Sequence, residues 1–286
     1  MTIRTPLFCG TALAERIERV EAQLVAHASA AARARHGDSA GFVREIGGGV
    51  ASYAEADSPF NKVAGLGFAG VPTEAELAEL EQAFHDLGSP VTVELSNLAD
   101  PAIGELLTGR GYRLTGYEDV LGLSLDGLSA PEPPPGVEVR LSREDDTDTA
   151  LDVMIEALLT PDIEGVPSAE HFPRDVLGNV IRDMDSTGTR RYLALIDGVP
   201  VGTGSLRISD GTAYFAGAAT SVRHRRRGVQ TALIATRLAD AIAAGCDIAT
   251  VTTSPGSRSQ QNVQRRGFDL LYTRALLQLA IQPVVA

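Results

Sequence analysis

Lysine is nearly missing from this chain of 286 residues: Lys62 is the single one, which leaves Schiff-base chemistry almost no candidate nucleophile. Cysteine is as scarce. Cys9 and Cys246 lie in separate halves, which excludes a disulfide framework and a cysteine-rich metal site and suggests two reduced, buried thiols in a cytoplasm. No stretch approaches the roughly 18 uncharged apolar residues of a membrane span. Residues 1–19 carry charges at Arg4, Glu15, Arg16, Glu18 and Arg19 where a secretory signal needs an apolar core. The expectation is a cytoplasmic protein with no membrane partner. Several motifs are also missing. There is no GxxxxGK[ST], HExxH, CxxC or GxSxG, and Gly202-Thr203-Gly204 is followed by Arg207 where a dinucleotide fingerprint needs a third glycine. His27, His36, His85, His171 and His224 are scattered, so no metal site is expected.

What is present is an ordinary globular composition, 44% hydrophobic and 22% charged, unlike that of a disordered chain. Its charge is uneven. Residues 1–135 hold 9 Lys+Arg against 19 Asp+Glu, and residues 136–286 hold 16 against 18. Such a surface repels a nucleic-acid backbone, so no nucleic-acid partner is expected. Arg223, Arg225, Arg226 and Arg227 break the trend by putting four guanidinium groups into five residues.

The proline-rich segment 131–135 reads as an extended linker, and an internal repeat flanks it. Gly88-Ser89-Pro90, the apolar run 91–95, a helical segment from Asp100 and Arg110-Gly111-Tyr112 form one copy. Gly245-Cys246-Asp247, the run 248–252, residues 259–266 and Arg266-Gly267-Phe268 form the other. Both continue into apolar strands, 113–125 and 269–281. Apolar residues at helical spacing predict a helix from Thr11, its expected cap, through Arg35. Thr73 and Glu76 form a capping-box pattern ahead of Leu77, Leu80 and Phe84. Strands are expected at 42–46, 65–68, 137–141, 191–196, 201–206 and 212–220, and helices at 147–159 and 229–244.

The arginine cluster lies just before that last helix, at Arg225-Arg226-Arg227-Gly228-Val229-Gln230. Helix N-terminal amides have no intrahelical partner and meet the positive end of the macrodipole. A glycine there admits close approach, so the arrangement suits a pyrophosphate; a solvated basic loop is the plain alternative.

The second half resembles the GNAT superfamily of acyl-CoA-dependent N-acyltransferases. The resemblance rests on residues 219–233, Ala-Thr-Ser-Val-Arg-His-Arg-Arg-Arg-Gly-Val-Gln-Thr-Ala-Leu, followed by 260–268, Gln-Gln-Asn-Val-Gln-Arg-Arg-Gly-Phe. Arg225 and Gly228 match the family's pyrophosphate loop [QR]-x-x-G-x-[GA], whereas Gln230 replaces its last small residue. The resemblance implies an α/β (α+β) chain of two GNAT-like domains, each a mixed, mostly antiparallel twisted sheet flanked by helices. A degenerate copy would span 1–130, without an arginine in its loop Phe68-Ala69-Gly70-Val71-Pro72-Thr73, and the competent domain 136–286.

It further implies acetyl-CoA as co-substrate and direct transfer to a primary amine. Ala218, Ala219 and Thr220 would face the pantetheine arm with residues 251–254. Arg225, Arg226, Arg227, Gly228, Val229, Gln230 and Thr231 would hold the diphosphate, with Asn262 nearby. The family's usual tyrosine acid falls on Val263. Ser259, Asn262 and Tyr272 are the substitutes, though capping and strand packing also account for them. Asp162, Glu164, Glu170 and His171 are candidate bases. A small-molecule amine is the expected acceptor; a peptide amine, or a non-catalytic acyl-CoA-binding or interaction protein, is the alternative.

Overall fold

The computed structural model describes residues 5–37, 41–160 and 172–280. The first repeat runs α1 (Thr11–His36), β1 (Phe42–Ile46), β2 (Gly49–Tyr53), β3 (Lys62–Ala64), α2 (Glu74–Asp86), β4 (Val91–Ser96), α3 (Pro101–Gly109) and β5 (Arg113–Ser124). The second runs β6 (Glu138–Leu141), α4 (Thr147–Leu159), α5 (Arg174–Ser186), β7 (Arg190–Ile196), β8 (Val199–Ser209), β9 (Thr212–Thr220), α6 (Val229–Ala243), β10 (Ile248–Thr253), α7 (Arg258–Gln264) and β11 (Asp269–Leu279). This is the expected class, mixed α/β with mostly antiparallel strands flanked by helices.

Local chemistry accounts for most boundaries. Asp197 and Gly198 turn the β7–β8 hairpin with φ of 52° and 76°, the left-handed pair that a tight hairpin needs. Two expectations fail. Thr11 is the first helical residue, and the cap position belongs to Gly10, which has no side chain to offer. Residues 65–68 are a turn, because Gly65 and Gly67 take φ of 72° and 98° and end β3 after three residues. Helix α5 was not anticipated.

The chain folds as two compact units, one comprising Cys9–Glu118 and Tyr272–Ala286, the other Met1–Phe8 and Asp119–Leu271. This division does not fall at 131–135, the expected linker, which lies inside the C-terminal unit. The reason is strand pairing. β4 takes β11 as its antiparallel partner, from Ser96↔Arg274 to Val91↔Leu279. β10 takes β5, from Ile248↔Ser124 to Thr253↔Asp119. Each repeat thus closes its ladder with the last strand of the other.

In the N-terminal unit, Leu77, Leu80, Phe84, Ile103 and Leu107 pack on the sheet. A buried charge cluster lies beside them. Arg274 Nε donates to Glu18 Oε1 at 2.7 Å and Nη2 meets Glu21 at 2.7 Å, while Nη1 approaches Glu94 and Glu118 at 3.6 and 3.8 Å. Lys62 donates to Glu94 at 2.5 Å, so the one lysine of the chain is structural. Burial, and then the neighbouring Glu94, pushes the Glu118 carboxyl up to about 8. In the C-terminal unit, Phe215, Leu233, Leu238 and Phe268 form the centre of the core. Arg237 is buried there over the Phe215 ring at 4.4 Å, donating to the carbonyls of Leu233 and Ser205. Burial lowers its guanidinium to about 10.

Two outcomes follow. Fragments 1–130 and 136–286 made separately are expected to stay unfolded, since each lacks the strand that completes its ladder, and to regain cooperative melting when mixed; circular dichroism of each and of the mixture checks this. A carboxyl whose native pKa is raised holds its proton in the folded state where the unfolded chain has lost it. Glu118 therefore makes stability fall between about pH 4.5 and about pH 8. Thermal melts across that window should show a shallower decline for Glu118→Gln, with similar stability at the acid end and higher stability at the alkaline end.

Candidate active site

The C-terminal unit contains a gap between two parallel strands. β9 and β10 pair only from Thr212↔Ile248 to Phe215↔Val251. Beyond that, β9 stays bonded to β8 as far as Thr220↔Gly202, and β10 to β5 as far as Thr253↔Asp119. Among the described residues no strand lies between their facing edges, 216–220 and 252–253. The β8 ladder jumps from Ser205↔Ala216 to Thr203↔Ala219, so Gly217 and Ala218 bulge opposite Gly204. Gly217 has a φ of 56°, a conformation that suits glycine. Both bulge residues are exposed, while Ala219 and Thr220 are buried. Thr252 and Thr253 present buried hydroxyls without a hydrogen-bond partner among the described residues.

At the end of β9 the chain turns through residues 221–228 into α6. Gly228 is the N-cap, in the left-handed conformation at φ 84°, with no side-chain cap, and no acidic residue follows in the first turn. The first intrahelical bond reaches from Ala232 N to Gly228 O at 2.9 Å, which leaves the amides of Val229, Gln230 and Thr231 ahead of it without intrahelical acceptors. Arg226, itself at φ 62°, and Arg227 are exposed. Arg225 donates to the Thr160 carbonyl. Gln230, the departure from the family loop, donates through Nε2 to Thr220 Oγ1 at 2.9 Å and so ties the helix start to the end of β9. Arg266 donates to Thr231 Oγ1 at 2.8 Å. The loop residues 225–231 and the strand residues 218–220 are therefore brought together by the fold. Their chemistry is that of an anion seat, donors plus positive charge, beside an unpaired strand edge.

The acid–base candidates separate. Asn262 is half-buried on α7 and Ser259 is exposed; the cap of that helix is Ser257, which accepts from Gln260 N at 3.2 Å. Val263 is a core residue. Tyr272 belongs to the N-terminal unit, where it is buried and donates to Glu18 Oε1 at 2.7 Å; burial, then Glu18, holds its hydroxyl well above the usual range. β11 leaves the C-terminal unit after Leu271. Asp162, Glu164, Glu170 and His171 lie outside the described residues. Asp119 escaped the sequence reading. Its Oδ2 accepts from Gln260 Nε2 at 2.7 Å, and Gln260 Oε1 accepts from Gly256 N at 2.6 Å, which fixes α7 against β5. Only the exchange of strands brings a residue of the first repeat there.

The N-terminal copy lacks this arrangement. Thr73 Oγ1 accepts from Glu76 N, and Glu76 Oε2 accepts from Thr73 N at 2.7 Å, closing the start of α2 with its own side chains. Glu74 and Glu76 add negative charge. β3 pairs with β4 only at Val63↔Val93, too short to leave a free edge.

Residues 154–268 match the model of the acetyltransferase (GNAT) family. A search by sequence among curated proteins finds no match. Among solved structures, the fold resembles a GCN5-related N-acetyltransferase from Kribbella flavida, with 23% identity, TM-score 0.59, and 88% of this chain and 95% of that one covered. It also resembles a tandem GNAT protein from the clavulanic acid biosynthesis pathway, at 13% identity and TM-score 0.61, with 96% and 98% covered. A GCN5-related N-acetyltransferase from Sphaerobacter thermophilus aligns at 17% identity and TM-score 0.54, with 98% and 95% covered.

Removing the Gln230 tether should loosen the start of α6. Gln230→Ala is expected to cost about 0.5–1.5 kcal/mol, the usual worth of one such hydrogen bond, read from urea denaturation midpoints.

Proposed function

We propose, from the match of residues 154–268 to the acetyltransferase (GNAT) family model, that this chain is an acetyltransferase whose C-terminal unit moves acetyl from acetyl-CoA directly to a primary amine of a small molecule. One observation carries the reading: an uncapped, acid-free helix start at Gly228 lies beside the divergence of β9 and β10. The amides of 229–231, with Arg226 and Arg227, would hold the diphosphate. The edge of Ala218, Ala219 and Thr220 and the opposite edge at 251–254 would receive the pantetheine arm, with Asn262 at its side. A main-chain N–H near Ala219 would donate to the carbonyl oxygen as it gains charge.

The acceptor nitrogen attacks the thioester carbon, the C–S bond breaks, and the sulfur leaves as a thiolate. Its conjugate thiol has a pKa of about 8.5, so departure does not require the acid that Val263 removes. Water can take the amine proton. The acidic first half favours a cationic acceptor by steering. A cytoplasmic site, where thiols such as Cys9 and Cys246 stay reduced, fits the chemistry.

The test is thiol release from acetyl-CoA across a broad panel of small amines. Wild-type protein is expected to turn over at least one, while Arg225→Ala/Gly228→Asp should lose coenzyme affinity by at least about tenfold, since a carboxylate then sits at the anion seat. Retained melting cooperativity separates that loss from unfolding. Peptide amines acetylated in preference to every small amine would overturn the acceptor class; coenzyme binding unchanged in the variant would overturn the site.

A further inference from the structure

The proline-rich segment 131–135 remains to be accounted for. It lies in the C-terminal unit, between the turn closed by Leu128 N to Leu125 O at 3.0 Å and β6. It passes over α6. Pro134 Cγ lies 3.2 Å from the point at which a side chain on Gly228 would begin, so the ring fills the space that the N-cap glycine leaves. Pro131 and Glu132 then form one side of a groove whose other side includes Thr231, Ile234, Leu238 and Arg266. The free volume left there is about 90 Å³, well below the roughly 300–1,000 Å³ of small-molecule pockets. Consecutive prolines favour a stiff polyproline II segment, so this strap moves as a piece.

The groove lies along the first turns of α6. If a diphosphate sits on the amides of 229–231 and the thioester arm enters the β9/β10 gap, the phosphorylated nucleoside at the other end of the coenzyme stays outside the gap. Arg266, exposed and bonded to Thr231 at 2.8 Å, supplies a cation on that flank, and the strap lines the same groove.

We propose that residues 131–134 are a gate over the nucleotide end of the coenzyme: closed in this structure, and lifted from Gly228 and Arg266 when the coenzyme binds. The inference rests on the coenzyme assignment above. It makes the strap a competitor of the nucleoside and leaves the thioester channel untouched.

The experiment uses the full chain, with stopped-flow association of two ligands, acetyl-CoA and S-acetylpantetheine, which has neither nucleoside nor phosphate. In Pro131→Gly/Pro133→Gly/Pro134→Gly the strap is loosened. Acetyl-CoA is then expected to bind faster and about tenfold more tightly, as when a closed fraction is removed, while the nucleoside-free thioester is unaffected. Pro134→Ala, which deletes only the contact on Gly228, should move acetyl-CoA in the same direction by less. Unchanged or slower association of acetyl-CoA would overturn the gate, as would equal acceleration of both ligands. Binding that persists without any effect of the strap removes the gate alone. No binding of either thioester by wild-type protein removes the coenzyme assignment and the gate with it.

Discussion

The ladder between β10 and β5 is the constraint on which the site depends. It holds β10 along its whole length, from Ile248 to Thr253, so that strand keeps its course after it has parted from β9 at Phe215↔Val251. β9 is held as firmly on its other side by β8. Two parallel strands can diverge only if each is satisfied elsewhere, because an unpaired edge otherwise leaves main-chain groups to find new partners. Here the first repeat provides that support, and the gap between β9 and β10 in the second repeat owes its opening to β5, whose paired residues Asp119 to Ser124 come from the preceding repeat.

Two helix starts in one chain show how the two repeats differ. α2 begins with a threonine whose hydroxyl and following glutamate satisfy the free amides and reverse the local charge. α6 begins with a glycine that satisfies nothing. The difference is a few side chains, yet it decides whether an anion is welcomed or repelled. The same contrast holds between the strands: Lys62, Glu94 and Arg274 occupy the interior of the N-terminal unit with ion pairs, whereas the β9/β10 divergence keeps threonine hydroxyls free.

Much of this was legible in the sequence because it is local. The Thr73/Glu76 cap, the Asp197-Gly198 turn, the bounds of α4 and β9 and the glycine at the start of α6 are each determined by residues within a few positions of one another. The repeat itself was visible as a matched order of elements. What was not legible is non-local. A strand pattern states which face is apolar but not which strand will lie beside it, so the pairing of β4 with β11 and of β10 with β5 is not readable from it. Asp119 went unnoticed for the same reason. Helix α5 lacked a capping signal, its cap position being Pro173. The Gly217 bulge had a faint signal, an isolated glycine inside a strand.

The exchange of β5 and β11 gives the chain the connectivity that two separate single-repeat molecules would have after swapping their C-terminal segments. Joining such a pair end to end alters no ladder. It also limits what the first repeat can change: the alternation of β5 must be kept, since a slip of one residue would turn Leu121 and Leu123 out of the core of the C-terminal unit.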